Sequence, residues 1–250
     1  MECPTPFDAY GRYYDIIYRD KDYVSEVRYV DGLLNRFGAA KGELLEFGSG
    51  TGRHGRLLAE LGFRVLGVER SAEMLALAQP VEGFSCQQGD ICSIALDRKF
   101  NAVLALFHVV SYQVTNRDVS AVFDRAAEHL NPGGLFIFDI WYSPAVFRTP
   151  PEVRIKRMAD EEIEIIRIAE PTLFPEENRV DVSYTILARA RQGSTLETFE
   201  ETHSMRHFSL PELDLLAANA GFERLAAESF LTGTPIGPDT WGPCIVLRKL

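Results

Sequence analysis

The sequence has little cysteine and a shortage of positive charge, and each argues against a class of protein. The four cysteines form no CxxC pair, and no histidine lies at zinc-ligand spacing from Cys3, Cys86, Cys92 or Cys244. We therefore expect reduced thiols, a cytoplasmic location and no metal site. Because 26 Lys and Arg face 36 Asp and Glu, the chain lacks the basic character of a general nucleic-acid binder, and we expect no nucleic-acid partner.

Long apolar runs are also missing. No stretch approaches the roughly 20 apolar residues of a membrane-spanning helix, and Met1-Glu2-Cys3-Pro4 lacks the basic and apolar regions of a signal peptide. We therefore expect no membrane partner. The 250 residues, 46% hydrophobic and 25% charged, suit one α/β domain or one domain with an insertion.

Tyrosine is concentrated near the N-terminus, where six of the nine precede residue 30. Tyr10, Tyr14 and Tyr18 recur at the spacing of one helix face. This pattern has two interpretations, an amphipathic helix that packs on the domain or a lid whose phenols line a ligand cleft. We assign residues 1–40 to an N-terminal helical lid, with a second helix from Val24 to Phe37.

Apolar runs alternate with helix patterns through most of the remaining chain. Strand candidates are Glu43–Phe47, Phe63–Glu69, Gly83–Gln88, Phe100–Phe107, Leu135–Ile140, Phe222–Leu231 and Cys244–Leu250. Helix candidates are Arg53–Leu61, a segment that begins at Ser71, Asn116–Leu130 and Ser209–Ala220. This order predicts an α/β fold with a Rossmann-like, doubly wound, seven-stranded, mostly parallel sheet built from residues 41–140 and 209–250.

Residues 141–208 interrupt that order. Prolines punctuate the segment, and apolar and polar residues alternate between Val180 and Arg189. The pattern predicts an inserted antiparallel β meander. It could cap a substrate or form the contact of a homodimer, and both interpretations remain open.

A glycine-rich turn follows the first strand, with four glycines between Gly48 and Gly55. Glycine permits positive φ and close approach to a ligand, and a helix N-terminus adds unpaired N–H groups. Acids occur at the carboxyl ends of four strand candidates, where parallel sheets bind ligands, at Glu46, Glu69, Asp90 and Asp139. The pattern predicts a nucleoside ligand, and a carboxylate at Glu46 suits a cationic amino group better than a pyrophosphate.

These segments resemble the motifs of class I S-adenosylmethionine-dependent methyltransferases. The similar segments are Glu46-x-Gly48-x-Gly50-x-Gly52, Gly67 to Leu75, Gly89-Asp90-Ile91 and Leu130 to Gly134. The resemblance implies that S-adenosylmethionine is the cofactor and S-adenosylhomocysteine the product.

The same resemblance assigns roles around the cofactor. The glycines would let the backbone approach the methionine portion, Glu46 would stabilise its ammonium group, and Glu69 would bind the ribose hydroxyls. Adenine would lie between Met74 and Ile91, with Asp90 accepting from its amine. The full implied set of cofactor-binding residues is Tyr14, Glu46, Gly48, Gly50, Gly52, Glu69, Arg70, Met74, Asp90, Ile91 and Phe107.

A narrower resemblance points to the acceptor. The segments from Tyr14 to Tyr23, from Phe107 to Tyr112 and from Trp141 to Phe147 are similar to nucleotide-linked amino-sugar N-methyltransferases of desosamine and mycaminose pathways. This implies a small polar substrate, most specifically a nucleotide-linked amino sugar. Glu46, Asp139 and the stretch from His108 to Val110 depart from that pattern, which leaves O-methylation of another small molecule, or of a saccharide or phosphate group, open.

Methyl transfer to an amine or a hydroxyl requires a group that accepts a proton or orients the nucleophile. The candidate catalytic residues after the fourth and fifth strands are His108, Tyr112 and Asp139, with Trp141 and Tyr142 nearby in sequence. We place His203 and His207 at a surface or an interface, and His54 behind the cofactor turn. A nicotinamide-dependent oxidoreductase and a non-catalytic cofactor-binding module are the alternatives.

Overall fold

The computed structural model describes residues 10–39, 41–191 and 196–250. Cys3 and the first nine residues of the predicted lid lie outside these ranges, and the side chain of Tyr10 lies outside the described side chains. None of the helices within the described ranges is long and apolar enough to cross a bilayer.

The central element is a seven-stranded sheet with the order β11-β12-β5-β4-β1-β2-β3. Its strands are β1 (Glu43–Phe47), β2 (Arg64–Glu69), β3 (Phe84–Gln88), β4 (Phe100–Ala105), β5 (Leu130–Asp139), β11 (Phe222–Ser229) and β12 (Pro243–Lys249). The first five are parallel, whereas β12 pairs antiparallel with both β5 and β11. The predicted fold class is therefore confirmed.

Helices cover both faces of this sheet. They are α2 (Tyr23–Arg36), α3 (Arg53–Glu60), α4 (Ala72–Leu77), α5 (Asn116–His129) and α7 (Leu210–Asn219). One apolar cluster packs α5 and α7 against the sheet, and a second packs α2 and α3 against it. Side-chain caps begin several of these helices, including Ser71, which accepts from the backbone N–H of Met74 at 3.2 Å.

The inserted segment forms a second sheet with the order β6-β10-β9-β8-β7. Its elements are β6 (Trp141–Tyr142), β7 (Arg154–Ala159), β8 (Ile163–Phe174), β9 (Arg179–Ala190) and β10 (Leu196–Phe208), and a short helix, α6 (Ser143–Arg148), follows β6. Strands β7 to β10 are antiparallel neighbours, as the alternating pattern predicts. The sequence pattern did not predict α6, and the division of the chain into lid, core and insertion stays a prediction.

The N-terminal segment contacts the inserted sheet. It contains a 3₁₀ turn (Tyr10–Tyr13) and α1 (Tyr14–Ile17), so the predicted helix ends before Tyr18. The Tyr13 hydroxyl donates to Glu197 at 2.8 Å, and the Lys156 ammonium donates to the carbonyl of Ile17 at 2.8 Å. We call this contact between residues 13–19 and strands β7 and β10 the seam.

Candidate active site

A cavity of about 280 Å³ opens at the carboxyl ends of the parallel strands. The N-terminal segment, the glycine turn, the loops after β2, β3 and β4, and the inserted sheet each contribute to its wall. Its lining includes Tyr14, Gly48, Gly50, Glu69, Arg70, Met74, Asp90, Ile91, Phe107, His108 and Tyr112. The structure thus brings together most of the side chains that the sequence selects.

The glycine turn uses its glycines in two different ways. Gly48 and Gly50 have φ of +63° and +55° and line the cavity. A Cβ on Gly48 would lie 2.6 Å from the side chain of Val109. Gly52, with φ of +76°, is not among the lining residues, and a Cβ there would lie 2.6 Å from the ring of Phe84. Packing against β3 therefore explains the need for glycine at this position.

Glu69 joins the end of β2 to the glycine turn. One carboxylate oxygen accepts from the backbone N–H of Gly50 at 2.8 Å, and the other accepts from the N–H of Ser71 at 2.8 Å. The side chain is 8% exposed and lines the cavity. Its carboxylate is therefore fixed by the protein while it remains able to accept further hydrogen bonds.

Asp90, Met74 and Ile91 also line the cavity. The carboxylate of Asp90 accepts from the N–H of Cys92 at 2.8 Å. Met74 and Ile91 are 3% and 8% exposed. Together they provide two apolar side chains beside an oriented acceptor, the kind of surface that a flat heteroaromatic ring fits.

Glu46 lies behind the turn and is not among the residues that line the cavity. Its side chain is 2% exposed, and its Oε2 has no hydrogen-bond partner among the residues that the structure describes. Burial, followed by the charge of Glu69, raises the pKa of Glu46 to about 8. A nearby cation would favour the ionised form of this carboxyl group.

His54 connects Glu46 to the N-terminal part of the chain. Its Nδ1 lies 3.8 Å from Glu46, its Nε2 lies 2.7 Å from Glu26, and Glu26 pairs with Lys21. Burial lowers the pKa of His54, although Glu26 opposes that shift. His54 also lines the cavity, so it lies nearer to a ligand than the sequence predicts.

His108 lies on a strained part of the backbone at the end of β4. Phe107 and His108 have φ of +67° and +64°, a conformation that L-residues rarely adopt. The Nδ1 of His108 lies 2.7 Å from Asp139 Oδ2, and its backbone N–H donates to the same carboxylate at 3.1 Å. Although burial raises it, the pKa of Asp139 is held below its ordinary value by the charge and hydrogen bonds of His108.

Tyr112 contacts the inserted sheet. Its hydroxyl lies 3.1 Å from His203 Nδ1, and His203 Nε2 lies 2.7 Å from Glu201 Oε1. His203 and Glu201 are 2% and 3% exposed. The expectation that His203 and His207 lie at a surface or an interface is therefore wrong, because both side chains point from β10 into the protein.

His207 is fully buried, and its Nδ1 lies 2.8 Å from the hydroxyl of Ser143. Burial lowers its pKa to about 4. The signal for this burial was the alternation of Glu201, His203, Met205 and His207, which places all four on one face of a strand. Tyr184 and Met205 line the cavity from the inserted sheet, and the sequence did not select them.

The aromatic residues that follow β5 differ in position. Trp141 lines the cavity and packs edge-on against Trp241, with ring centroids 5.8 Å apart. Tyr142 is not among the lining residues and packs instead against the core of the larger sheet. Among residues 10–39, 41–191 and 196–250, no three His, Cys, Asp or Glu side chains form a group that could hold a metal ion.

Comparison with known proteins identifies the class of this site. A family model described as "Methyltransferase domain" matches residues 44–134, the segment from β1 to the start of β5. This chain carries a methyltransferase domain. The chain has the fold of solved S-adenosylmethionine-dependent methyltransferases.

Several relatives of this methyltransferase have named acceptors. The dTDP-3-amino-3,6-dideoxy-alpha-D-glucopyranose N,N-dimethyltransferase of Streptomyces fradiae is 29% identical over 227 residues, which are 90% of this chain and 86% of that protein. The dTDP-3-amino-3,4,6-trideoxy-alpha-D-glucopyranose N,N-dimethyltransferase of Streptomyces venezuelae is 27% identical, over 90% and 92% of the two chains. The solved structure of S-adenosylmethionine-bound CalS10, an amino pentose methyltransferase from Micromonospora echinaspora, is 24% identical, covers all of both chains and has a TM-score of 0.76.

The residues of the methyltransferase fit this cofactor. Gly48 and Gly50 provide a cradle that side chains would fill, and Glu69 offers a fixed carboxylate to a ribose. The unpartnered Oε2 of Glu46 and the unpartnered hydroxyl of Ser49 leave polar capacity on either side of the turn. A cationic amino group near the turn would compensate the buried charge of Glu46.

Proposed function

We propose that this methyltransferase transfers a methyl group to the amino nitrogen of a nucleotide-linked amino sugar. Two relatives that act on dTDP-linked 3-amino sugars match 90% of the chain, which supports this acceptor class. The observation that carries the proposal is that His108 and Tyr112 line the same cavity as Glu69 and Asp90, where the imidazole can accept a proton and the phenol oxygen can accept a hydrogen bond. Such groups suit a nucleophile that must present its lone pair and release a proton.

The cofactor-binding roles form part of the same proposal. Glu69 would bind the ribose hydroxyls, Asp90 the adenine amine, and Met74 with Ile91 the adenine ring. Gly48 and Gly50 would leave room for the methionine portion, whose ammonium group Glu46 would compensate. We propose Tyr14, Arg70 and Phe107 as further contacts because all three line the cavity. Gly52 would shape the turn without touching the ligand.

His108 would act as the proton acceptor, with Asp139 as the residue that holds it. S-adenosylmethionine, when bound, supplies an electrophilic methyl group on a sulfonium. His108 Nδ1 lies at ion-pair distance from the carboxylate, 2.7 Å away, although it is not aligned to donate a hydrogen bond within the described residues. With its proton on Nδ1, the neutral ring keeps a lone pair on Nε2 that can take a proton from a substrate ammonium group. Asp139 then stabilises the imidazolium that results, and the Tyr112 hydroxyl would hold the amine in place.

The pH dependence of turnover tests this role. His108→Gln cannot accept a proton, so the variant should depend on amine that is already neutral. We expect its kcat/KM to keep rising with pH where that of the wild-type enzyme has levelled, with a deficit of about 10²-fold or more at neutral pH. A variant whose pH profile matches that of the wild-type enzyme would rule out His108 as the acceptor.

A matched set of acceptors tests the proposed substrate. The set contains dTDP-linked 3-amino and 4-amino sugars and the 3-hydroxy sugar of the same stereochemistry, each incubated with methyl-labelled S-adenosylmethionine. We expect label on the amino sugars and none on the hydroxy analogue. Transfer to the hydroxy sugar alone, or no transfer to any nucleotide-linked sugar despite binding of S-adenosylhomocysteine, would overturn the proposal.

The inserted sheet would serve as substrate cap, and its outer strand β7 would contact a second copy. Val153, which precedes β7, and Ile155, which lies on it, are 60% and 57% exposed. These exposed apolar side chains at a sheet edge support an apolar contact. Light scattering after size exclusion should find a dimer that Ile155→Lys dissociates. A monomeric wild-type chain would remove this part of the proposal. The cytoplasmic location and the absence of nucleic-acid partners stay predictions.

A further inference from the structure

Tyr112, His203 and Glu201 form a hydrogen-bonded chain that begins at the cavity wall and ends inside the protein. Tyr112 lines the cavity, its hydroxyl lies 3.1 Å from His203 Nδ1, and His203 Nε2 lies 2.7 Å from Glu201 Oε1. The side chains of His203 and Glu201 are both buried. The chain is therefore sheltered from water everywhere except at the phenol.

When the His203 ring is neutral, the chemistry of the inner end sets the direction of each bond. A carboxylate only accepts hydrogen bonds, so Glu201 requires a proton on His203 Nε2. A neutral imidazole with its proton on Nε2 must accept at Nδ1, and the Tyr112 hydroxyl is the group that lies there. The phenol proton is then committed to His203.

A phenol that donates its proton inward presents its oxygen lone pairs outward. Burial, followed by the charges of Tyr184, Tyr18 and Glu201, raises the pKa of Tyr112 well above its ordinary value, so the group stays a neutral phenol. The surroundings of the pair agree with a fixed geometry, because the ring of Tyr184 packs edge-on against His203 with centroids 4.9 Å apart.

We infer that Glu201, acting through His203, is a positioning residue that makes the Tyr112 hydroxyl an obligatory hydrogen-bond acceptor toward the substrate. An amino nitrogen about to be methylated carries N–H bonds that such an acceptor can hold, so its lone pair points toward the methyl donor. The inference rests on the proposed function for the identity of the acceptor. Without Glu201, His203 can move its proton to Nδ1, and the phenol O–H can turn into the cavity.

Nitrogen NMR of the full-length chain labelled in histidine tests the bond directions without any substrate. The signals of His203 are assigned by their loss in His203→Gln. We expect a neutral ring with its proton on Nε2 in the wild-type protein and a mixture of tautomers in Glu201→Leu. A proton on Nδ1 of the wild-type ring, alone or together with one on Nε2, would overturn the inference.

Kinetics test the coupling to the phenol. Glu201→Leu should lower kcat by about tenfold with little change in the KM for S-adenosylmethionine, and Tyr112→Phe should do the same. If Glu201 acts through Tyr112, the double variant should be no slower than Tyr112→Phe alone. Losses that multiply in the double variant would overturn the inference.

Two controls separate the possible failures. Glu200→Leu changes an exposed carboxylate on the same strand and should leave both kinetics and the His203 signals unchanged. If Glu201→Leu does not fold, the tautomer of His203 in the wild-type protein still tests the inference. Glu201→Gln, which keeps the side-chain volume, then takes the place of Glu201→Leu in the kinetic comparison with Tyr112→Phe. A wild-type enzyme that methylates no amino sugar would contradict the proposed function, whereas an active enzyme with the wrong tautomer would contradict only this inference.

Discussion

At the scale of the residue, Glu69 combines a structural position with a proposed binding role. Its carboxylate accepts from the N–H groups of Gly50 and Ser71, and it faces the cavity. Loss of this carboxylate should therefore affect both the shape of the glycine turn and the grip on a ribose. The two effects can be separated because only the second requires a ligand.

We expect Glu69→Ala to weaken binding of S-adenosylhomocysteine by about 1–3 kcal/mol, since hydrogen bonds to a charged acceptor are lost. Titration calorimetry measures the affinity, and thermal unfolding without ligand measures the structural part. Glu60→Ala, an exposed carboxylate at the end of α3, is the matched control. Unchanged affinity in Glu69→Ala would refute the ribose assignment.

Glu46 gives a pH dependence whose sign can be worked out. Its pKa is about 8 in the folded protein, against an ordinary value of 4.5. Between these values the folded protein keeps a proton that the unfolded chain has released, so stability falls as pH rises through that window. The cause is that the buried carboxyl group stays protonated in the fold, while the unfolded chain gains stability by releasing the proton to water.

We expect Glu46→Gln to remove this slope. Thermal unfolding of the ligand-free protein between about pH 5 and about pH 8 should show a smaller loss of stability for Glu46→Gln than for the wild-type chain. Glu82→Gln, which changes an exposed carboxylate, should follow the wild-type curve. Parallel curves for all three proteins would mean that Glu46 is ionised throughout the range.

The sequence predicted residues of the cavity wall best where they end a strand or follow it closely. Glu69, Asp90 and His108 lie in or beside turns at the ends of β2, β3 and β4, and the topology of a parallel sheet gathers such ends at one edge. Tyr184 and His203 could not be found this way, because their place near the cavity depends on how the inserted sheet packs against the larger one. No local pattern encodes that orientation.

At the scale of the element, the strand–turn–helix unit of β1 and α3 depends on close packing as well as on backbone freedom. Gly52 and Gly38 both have positive φ, of +76° and +89°. A Cβ at Gly52 would meet the ring of Phe84 at 2.6 Å, whereas no described residue beyond its chain neighbours comes within 4 Å of a Cβ at Gly38. A comparison of alanine variants at these two glycines therefore separates the cost of backbone strain from the cost of steric overlap.

We expect Gly38→Ala to cost about 1–2 kcal/mol of unfolding free energy, the cost of a left-handed L-residue. Gly52→Ala should cost about 1–3 kcal/mol more because it also overpacks Phe84. Urea unfolding of both variants measures the difference. Equal losses would show that Phe84 yields to the added methyl group at negligible cost.

The pattern predicted the elements of the core more closely than those of the insertion. The continuous apolar run of β4 and the alternation of β9 leave little ambiguity about strand type. By contrast, α6 is six residues long and begins with Ser143-Pro144 after a two-residue strand. A helix this short takes its stability from tertiary packing, which sequence periodicity does not report.

At the scale of the whole molecule, the seam joins segments that are more than a hundred residues apart. Tyr14 and Tyr18 line the cavity from one side of it, and Tyr184 and Met205 line the cavity from the other. The bonds across it include those of Tyr13 with Glu197 and of Lys156 with Ile17, at 2.8 Å each. Separation of the two segments would widen the route to the cavity.

We expect opening of the seam to limit release of S-adenosylhomocysteine, so that kcat falls as solvent viscosity rises. Lys156→Met removes one bond of the seam and should make kcat less sensitive to viscosity. Lys41→Met, which changes an exposed ammonium far in sequence from the seam, should behave as the wild-type enzyme. A kcat independent of viscosity would place the slow step elsewhere.

The alternation along β10 has a consequence for how the protein can diverge. Glu201 and His203 face inward in the present register, in which Glu201 on β10 pairs with Tyr184 on β9 and His203 pairs with Val182. A shift of one residue would turn both to the opposite face. Inherited length changes inside this strand would therefore silence the enzyme while leaving the donor-binding half intact. We expect relatives that act on other acceptors to differ from this chain by substitutions within β10. Insertions and deletions should lie outside this strand.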